Sequence, residues 1–187
     1  MKNLLVRPLN FVECLKKGDH ALLFFDDEDY ARSIELNYLK TGLNKGEFCV
    51  YITKDPETVY HKMRYHKINV ESYITHHLLQ IFLVAESNKG LISLRNKISD
   101  LFSLKLSIRV VIHDVFKPSF SGVIDKELEQ EENIHKIFSQ FPGSMICTHS
   151  VKDIDANRRN EVIVSLLKHH HCAIFAPRES KGYGFYL

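Results

Sequence analysis

The chain reads as an α/β protein, a three-layer αβα sandwich around a largely parallel sheet of about six or more strands. Three observations predict this. Six apolar runs of strand length, at 21–25, 48–53, 79–84, 109–114, 145–149 and 172–176, are continuous rather than alternating, the pattern of strands covered on both faces. Segments with helical spacing stand between them, so the order is βαβαβαβαβαβ, which calls for parallel strands and crossover helices. Caps and stops fall at the joints: Asp55-Pro56 opens one helix, and Gly46 and Pro142-Gly143 close two others.

In chain order, residues 1–17 form a short amphipathic N-terminal helical segment carrying Phe11, Val12, Cys14 and Leu15, and residues 18–187 form the α/β core of a single domain. The first strand runs straight into a helix over about 28–44, with Ala31, Ile34, Tyr38 and Leu39 on one face. After the second strand, the helix opened by Asp55 and Pro56 turns Val59 and Met63 inward. A third helix spans about 89–102 through Leu91, Leu94, Ile98, Leu101 and Phe102. The loop at 116–121, with Pro118, is expected to be a mobile surface segment, and a fourth helix follows Gly122 to about 141. The fifth spans about 154–169, with Val162, Ile163, Leu166 and Leu167 inward. Residues 182–187 suit an antiparallel edge strand after the sixth strand.

Composition removes several function classes. A net charge of +2 over 187 residues lacks the dense basic stripe of a nucleic-acid binder. No apolar run approaches the ~20 residues of a membrane span, and the opening run of three is too short for a signal peptide. A cytoplasmic location is expected, without membrane attachment. Cys14, Cys49, Cys147 and Cys172 are scattered, three of them in strand-like runs, and read as buried reduced thiols rather than a disulfide framework.

The turn after the first strand carries the strongest chemical statement. Where many α/β proteins place a glycine-rich loop and a lysine around phosphate, this chain has Asp26, Asp27, Glu28 and Asp29. No glycine brings backbone N–H groups close, and four carboxylates repel a triphosphate. These residues lack the spacing of a calcium loop and read as helix caps. Ligands of such sheets bind beyond the carboxyl ends of the strands. That rule nominates Asp26 and Asp27, Lys54 and Asp55, Glu86 and Ser87, His113 and Asp114, and His149 and Ser150.

Histidine and cysteine chemistry was weighed at three places. Cys147 and His149 share one side of a strand, and His113 approaches them if the fourth and fifth strands are neighbours. With Asp114 that makes a set suited to zinc, yet no paired zinc motif is present, and a buried thiol beside a hydrogen-bonded histidine is the ordinary alternative. His169, His170 and His171 fan about 100° apart on a helix and cannot all hold one ion, so they read as C-terminal capping residues. His20 opens the first strand and reads as capping a neighbouring backbone group. No metal or other cofactor is expected. No G-x-S-x-G elbow occurs, and Glu127, Glu129, Glu131 and Glu132 read as a solvated helix face.

The run Gly18-Asp19-His20-Ala21-Leu22-Leu23-Phe24-Phe25-Asp26-Asp27, followed by Leu39-x-x-Gly42-Leu43-x-x-Gly46-Glu47-x-Cys49-Val50-Tyr51-Ile52, resembles the opening of the MEDS family. These are sensory domains of methanogens and methylotrophs, named with the dichloromethane-responsive regulator DcmR. The match is strongest over residues 18–55, where His20, Gly42 and Gly46 stand at family positions, and continues loosely to about 176. That family in turn resembles the RecA/KaiC-like ATPases. Residues 110–114 fall where those enzymes carry a strand ending in a metal-binding aspartate, 49–53 match their second strand and 145–150 their sensor strand. The G-x-x-x-x-G-K-[ST] loop is missing over 25–32.

The resemblance implies RecA/KaiC-like topology and a non-catalytic sensory domain. It would bind a small organic ligand, or a signalling protein, at the C-terminal edge of the sheet, with Phe116 and Phe120 lining an apolar pocket for a small hydrocarbon derivative. With no room in this chain for an output domain, output would come from a separate protein or from homo-oligomerisation. Two alternatives stay open: a nucleotide- or metal-dependent hydrolase using Asp114 with Asp55 or Glu57 as base, and a structural interaction domain whose pocket is vestigial.

Overall fold

A computed structural model describes residues 5–84, 107–113, 143–179 and 181–187, together with the single helical positions Asn96 and Lys136. The expected helices at 89–102 and 122–141 otherwise lie outside these residues, as do Glu86, Ser87, Asp114, the loop at 116–121 and the Glu127–Glu132 cluster.

Each of the six apolar runs is a strand: β1 His20–Phe25, β2 Phe48–Thr53, β3 Leu79–Leu83, β4 Ile108–His113, β5 Ser144–Ser150 and β6 Cys172–Ala176. A seventh, β7 Tyr183–Tyr186, adds the antiparallel edge. The sheet order is β3-β2-β4-β5-β1-β6-β7, with every pair but the last parallel. β1 therefore sits between β5 and β6, and the chain crosses over β4 and β5 to reach β2. β3 departs from continuous burial. It is an edge strand, and its Leu83 side is open to solvent.

Helix α1 (Pro8–Glu13) starts with proline at a position whose N–H needs no partner, and buries Phe11 and Val12 against α2 and β7. The Phe11 ring packs 5.4 Å from that of Tyr186. Helix α2 (Glu28–Leu43) crosses the sheet from β1 to β2 and supplies most of one core layer. The expected second helix is divided into α3 (Pro56–Tyr65) and α4 (Val70–Thr75), because Lys67 adopts a positive φ of 59° that an α-helix does not accommodate. The expected fifth helix is also shorter. A 3-10 turn at Val151–Asp153 precedes α5 (Arg159–Leu167), and Asp155 accepts a hydrogen bond from Asn157 N–H at 2.9 Å. That local bond competes with helix formation over 154–158.

Strand alternation sorts the buried side chains into two layers. Leu23, Phe25, Tyr51, Val111 and Ile146 face α1 to α4, whereas Leu22, Phe24, Val50, Ile112, Met145 and Cys147 face Val162 and Leu166 of α5. Among the described residues, no helix is long and apolar enough to cross a membrane.

Gly42 has a packing reason. Arg109 of β4 is buried beneath α2, tied to Glu47 and donating to Tyr38 O at 3.1 Å, with its guanidinium 4.8 Å from the Tyr38 ring centroid. A Cβ at Gly42 would stand 2.5 Å from Arg109 Cδ. Because both ends of that arginine are held, the chain cannot simply swing aside. Gly42→Val recovers under about 1 kcal/mol of helix propensity and is expected to lose about 1–3 kcal/mol to overpacking. A urea titration that leaves the midpoint unchanged would refute this account of Gly42. Gly46 serves the turn after α2, with a φ of +71° and its N–H on Leu43 O.

Candidate functional site

At the carboxyl end of β1 the chain turns at Asp26, and Asp27 caps α2 by accepting from Tyr30 N–H at 3.1 Å. The next turns of α2 lay Glu28, Arg32 and Glu35 along one side of the helix, over the ends of β1, β2, β4 and β5. Glu35 and Tyr51 are fully buried, and Arg32 and His113 nearly so. They form one connected network. The Tyr51 hydroxyl accepts from Arg32 Nη1 at 2.6 Å and donates to Glu35. His113 Nδ1–H donates to Glu35 Oε1 at 2.6 Å, with Thr148 Oγ1 at 3.3 Å from the same nitrogen. Glu28, at the rim, reaches both cations: Arg32 Nη2 at 3.3 Å and His113 Nε2 at 3.8 Å. The His113 ring also stacks on Phe25, with centroids 5.8 Å apart.

The charges in this network are mutually fixed. Burial alone would lower the pKa of His113, but the charge of Glu35 and the contacts with both glutamates outweigh it and raise it to about 9. Burial alone would raise Glu35, yet the charge and hydrogen bond of His113, with Arg32, hold it below its ordinary value. The contact with His113 acts first on Glu28, and with Arg32 it overcomes partial burial to pull that carboxyl down to about 2. Burial and the neighbouring Glu35 keep the Tyr51 hydroxyl protonated. Two carboxylates thus face two cations at neutral pH, at the place where the sequence lacks a phosphate loop.

Beside the network, between the ends of β1 and β6, opens a pocket of about 430 Å³. Phe24, Phe175 and Pro177 line it with apolar surface, and Asp26, Lys152 and Arg159 give it charge. Lys152 Nζ is held by Asp26, 2.7 Å from its carbonyl oxygen and 3.2 Å from its carboxylate. Arg159 Nη2 donates to Ile154 O at 3.4 Å, while its buried Nε–H has no hydrogen-bond acceptor among the described residues.

The fold is similar to that of a solved structure, a KaiC-like protein from the hyperthermophilic archaeon Pyrococcus horikoshii OT3. The two match with a TM-score of 0.66 over 97% of this chain and 86% of that one, at 13% identity. The fold is RecA/KaiC-like. No family model matches the chain, and no curated protein does.

Within this KaiC-like frame the nominated residues separate. Asp26 lines the pocket and His113 anchors the network. Asp55 caps α3 by accepting from Thr58 N–H at 3.1 Å, its pKa lowered by hydrogen bonding with the Thr58 side chain and then with that N–H, and the partly exposed Lys54 lies beside it at the end of β2. Ser150 ends β5 opposite Phe25. His149 is buried on the α5 side, its ring 6.4 Å from that of Phe24. Asp114, Phe116 and Phe120 lie outside the described residues.

One expectation needs correction. β4 and β5 are neighbours, but His113 pairs in register with Thr148 and faces α2, whereas Cys147 and His149 lie on the other side of the sheet. The sheet itself separates the members of that set. His20 contacts Cys147 Sγ through Nε2 at 3.2 Å, and His170, only 6% exposed, turns in towards both. His170 Nδ1–H does donate to Leu166 O at 2.7 Å, so the capping role expected at the end of α5 is met by this one ring.

Arg32, Glu35, Tyr51, Lys152, Arg159 and Phe175 were absent from the sequence nomination. The signal for the first two is the spacing of Glu28, Arg32 and Glu35 at i, i+4 and i+7 beside the apolar face of that helix, and the sequence carries none for Tyr51. Phe175 and Pro177 were open to the rule that nominated the other strand ends, applied to β6.

Proposed function

We propose that this domain is a non-catalytic sensory module whose KaiC-like nucleotide position has been closed and whose neighbouring pocket takes a small organic molecule with an apolar body and one anionic group. What supports this reading is the occupation of the α2 N-terminus by the chain's own acids. Asp27 caps the helix and Glu28 is bound to Arg32 and His113. Helix N-termini that hold phosphate offer open N–H groups and positive charge. Here Asp27 takes the Tyr30 N–H, and Glu28 is paired with the positive charge of Arg32 and His113. The aromatic floor of Phe24 and Phe175 suits an apolar group, and Arg159 supplies a donor for a carboxylate or related anion. The motif resemblance to MEDS sensory domains over residues 18–55 agrees with detection of a small organic compound.

A thermal-shift comparison tests the reading, using short aliphatic, aromatic, methylated and halogenated carboxylates against Mg-ATP. A ligand at about 100 times its dissociation constant adds about 2.7 kcal/mol and raises the melting temperature measurably. The rise is expected with small organic anions and is expected to vanish in Arg159→Met, which keeps the stem and removes the donors. A rise with Mg-ATP, or phosphate release from it, would overturn the non-catalytic reading. A panel without any shift would favour an interaction domain.

A further inference from the structure

His20, Cys147 and His170 meet at the opposite end of β1 from the pocket, on the α5 side of the sheet, and all three are buried. Each offers one potential ligand atom, and these atoms lie within 4.8 Å of one another. We propose that this cluster is a binding site for a borderline-to-soft metal ion of the zinc class, held by two imidazoles and one thiolate with a position left for a further ligand.

Geometry is the first ground. Bond lengths of about 2.3 Å to sulfur and 2.0–2.1 Å to nitrogen, at tetrahedral angles, set ligand atoms about 3.5 Å apart. His20 Nε2 and Cys147 Sγ are already 3.2 Å apart, so an ion enters by a shift of a few tenths of an ångström along that edge. The parallel register explains the approach. Leu22 stands opposite Cys147, and His20, two residues earlier on β1, shares that face.

Orientation of the donors is the second. Leu166 O only accepts, so the hydrogen of the His170 ring is on Nδ1 and the lone pair is on Nε2. A ligating histidine is characteristically held in this way, its second nitrogen donating to a backbone carbonyl. His171 then fixes the frame. Its Nδ1 accepts from His20 N–H at 3.1 Å, and its own N–H donates to His20 O at 2.8 Å. The consecutive histidines thus divide the work: His170 presents a nitrogen, and His171 stitches the strand bearing His20 to the segment bearing His170. Two nitrogens and one sulfur favour zinc-class ions over magnesium or calcium, which take oxygen. Binding releases the thiol proton of Cys147, so affinity rises with pH.

The experiment uses the full chain freed of metal with a chelator and then titrated with Co²⁺ or Zn²⁺ alone. One ion per chain is expected, with a thiolate-to-cobalt charge-transfer band in the near ultraviolet. Cys147→Ser is expected to abolish the band, and His170→Gln to weaken binding at least about 10-fold. Cys14→Ser, at the exposed cysteine, should leave both unchanged. X-ray absorption of the zinc-loaded wild-type chain covers the case in which a variant misfolds. One sulfur at about 2.3 Å with two imidazole nitrogens supports the site. No stoichiometric binding, a shell without sulfur, or a band that survives Cys147→Ser in folded protein would overturn it.

Discussion

Replacing Glu35 by alanine is expected to lower folding stability by about 3–5 kcal/mol at neutral pH, the cost of leaving a buried cation without its partner. Glu35 joins the rest of its network: His113 donates to one carboxylate oxygen and Tyr51 to the other, and Arg32 donates to the Tyr51 hydroxyl. Truncation leaves His113 and Arg32 at 5% and 4% exposure, with only the solvent-facing Glu28 to balance them. Glu35→Gln retains the shape and one hydrogen bond and is expected to fall between wild type and alanine. The contrast that gives the measurement its meaning is Arg32→Met with Glu35→Leu and His113→Phe, made in a Tyr51→Phe background because the buried Tyr51 hydroxyl would otherwise lose both of these partners. Desolvating a buried ionic group costs about what its pairing returns, so this apolar set is expected to be near neutral or stabilising. Urea midpoints at constant slope decide the matter. If the triple change costs as much as Glu35→Ala, the network is a major source of stability. If it costs little, the charges persist for a reason other than folding, which fits a site whose electrostatics matter to its ligand.

The sheet was legible because apolar strand runs bounded by caps leave few alternatives. The β1 run from Ala21 to Phe25 and the β6 run from Cys172 to Ala176 came out as read, with His20 added at the start of β1. What the sequence concealed were polar residues buried by tertiary placement. Nothing in the helical spacing marks Arg32 and Glu35 as buried, and the crossing of α2 over β2 and β4 puts them under cover. Tyr51 looked like another core aromatic until its hydroxyl met two charged partners.

Alternation decided two further outcomes. Placing β4 beside β5 brings His113 near Thr148 but keeps it from Cys147, since neighbouring positions on a strand face opposite sides. The three consecutive histidines after α5 were dismissed together because one helix cannot aim them at one point. That argument holds, yet it says nothing against a single member, and His170 alone turns inward.

Stability is expected to fall by on the order of 3 kcal/mol as pH rises from about 6.5 to about 9, through His113 alone. Its folded pKa of about 9 lies above the ordinary value of 6.5, so the folded state holds the proton more tightly than the unfolded chain. Such a group contributes its full stabilisation below pH 6.5 and loses it as pH climbs through 9. Glu28 has the opposite sign. Its folded pKa of about 2 lies below 4.5, so its contribution is present above pH 4.5 and is lost as pH falls towards 2. Between these limbs, from about pH 4.5 to 6.5, both groups contribute fully. The groups facing His113 are Glu28 and Glu35 with Arg32 from α2, Tyr51 from β2 and Thr148 from β5, and only the two glutamates favour its charge. Glu35→Gln removes the larger electrostatic partner, so the alkaline limb should flatten and the His113 titration, followed by its ring resonances, should move below 9. An alkaline limb of wild-type size in Glu35→Gln would mean that the limb does not arise from the pairing of His113 with Glu35.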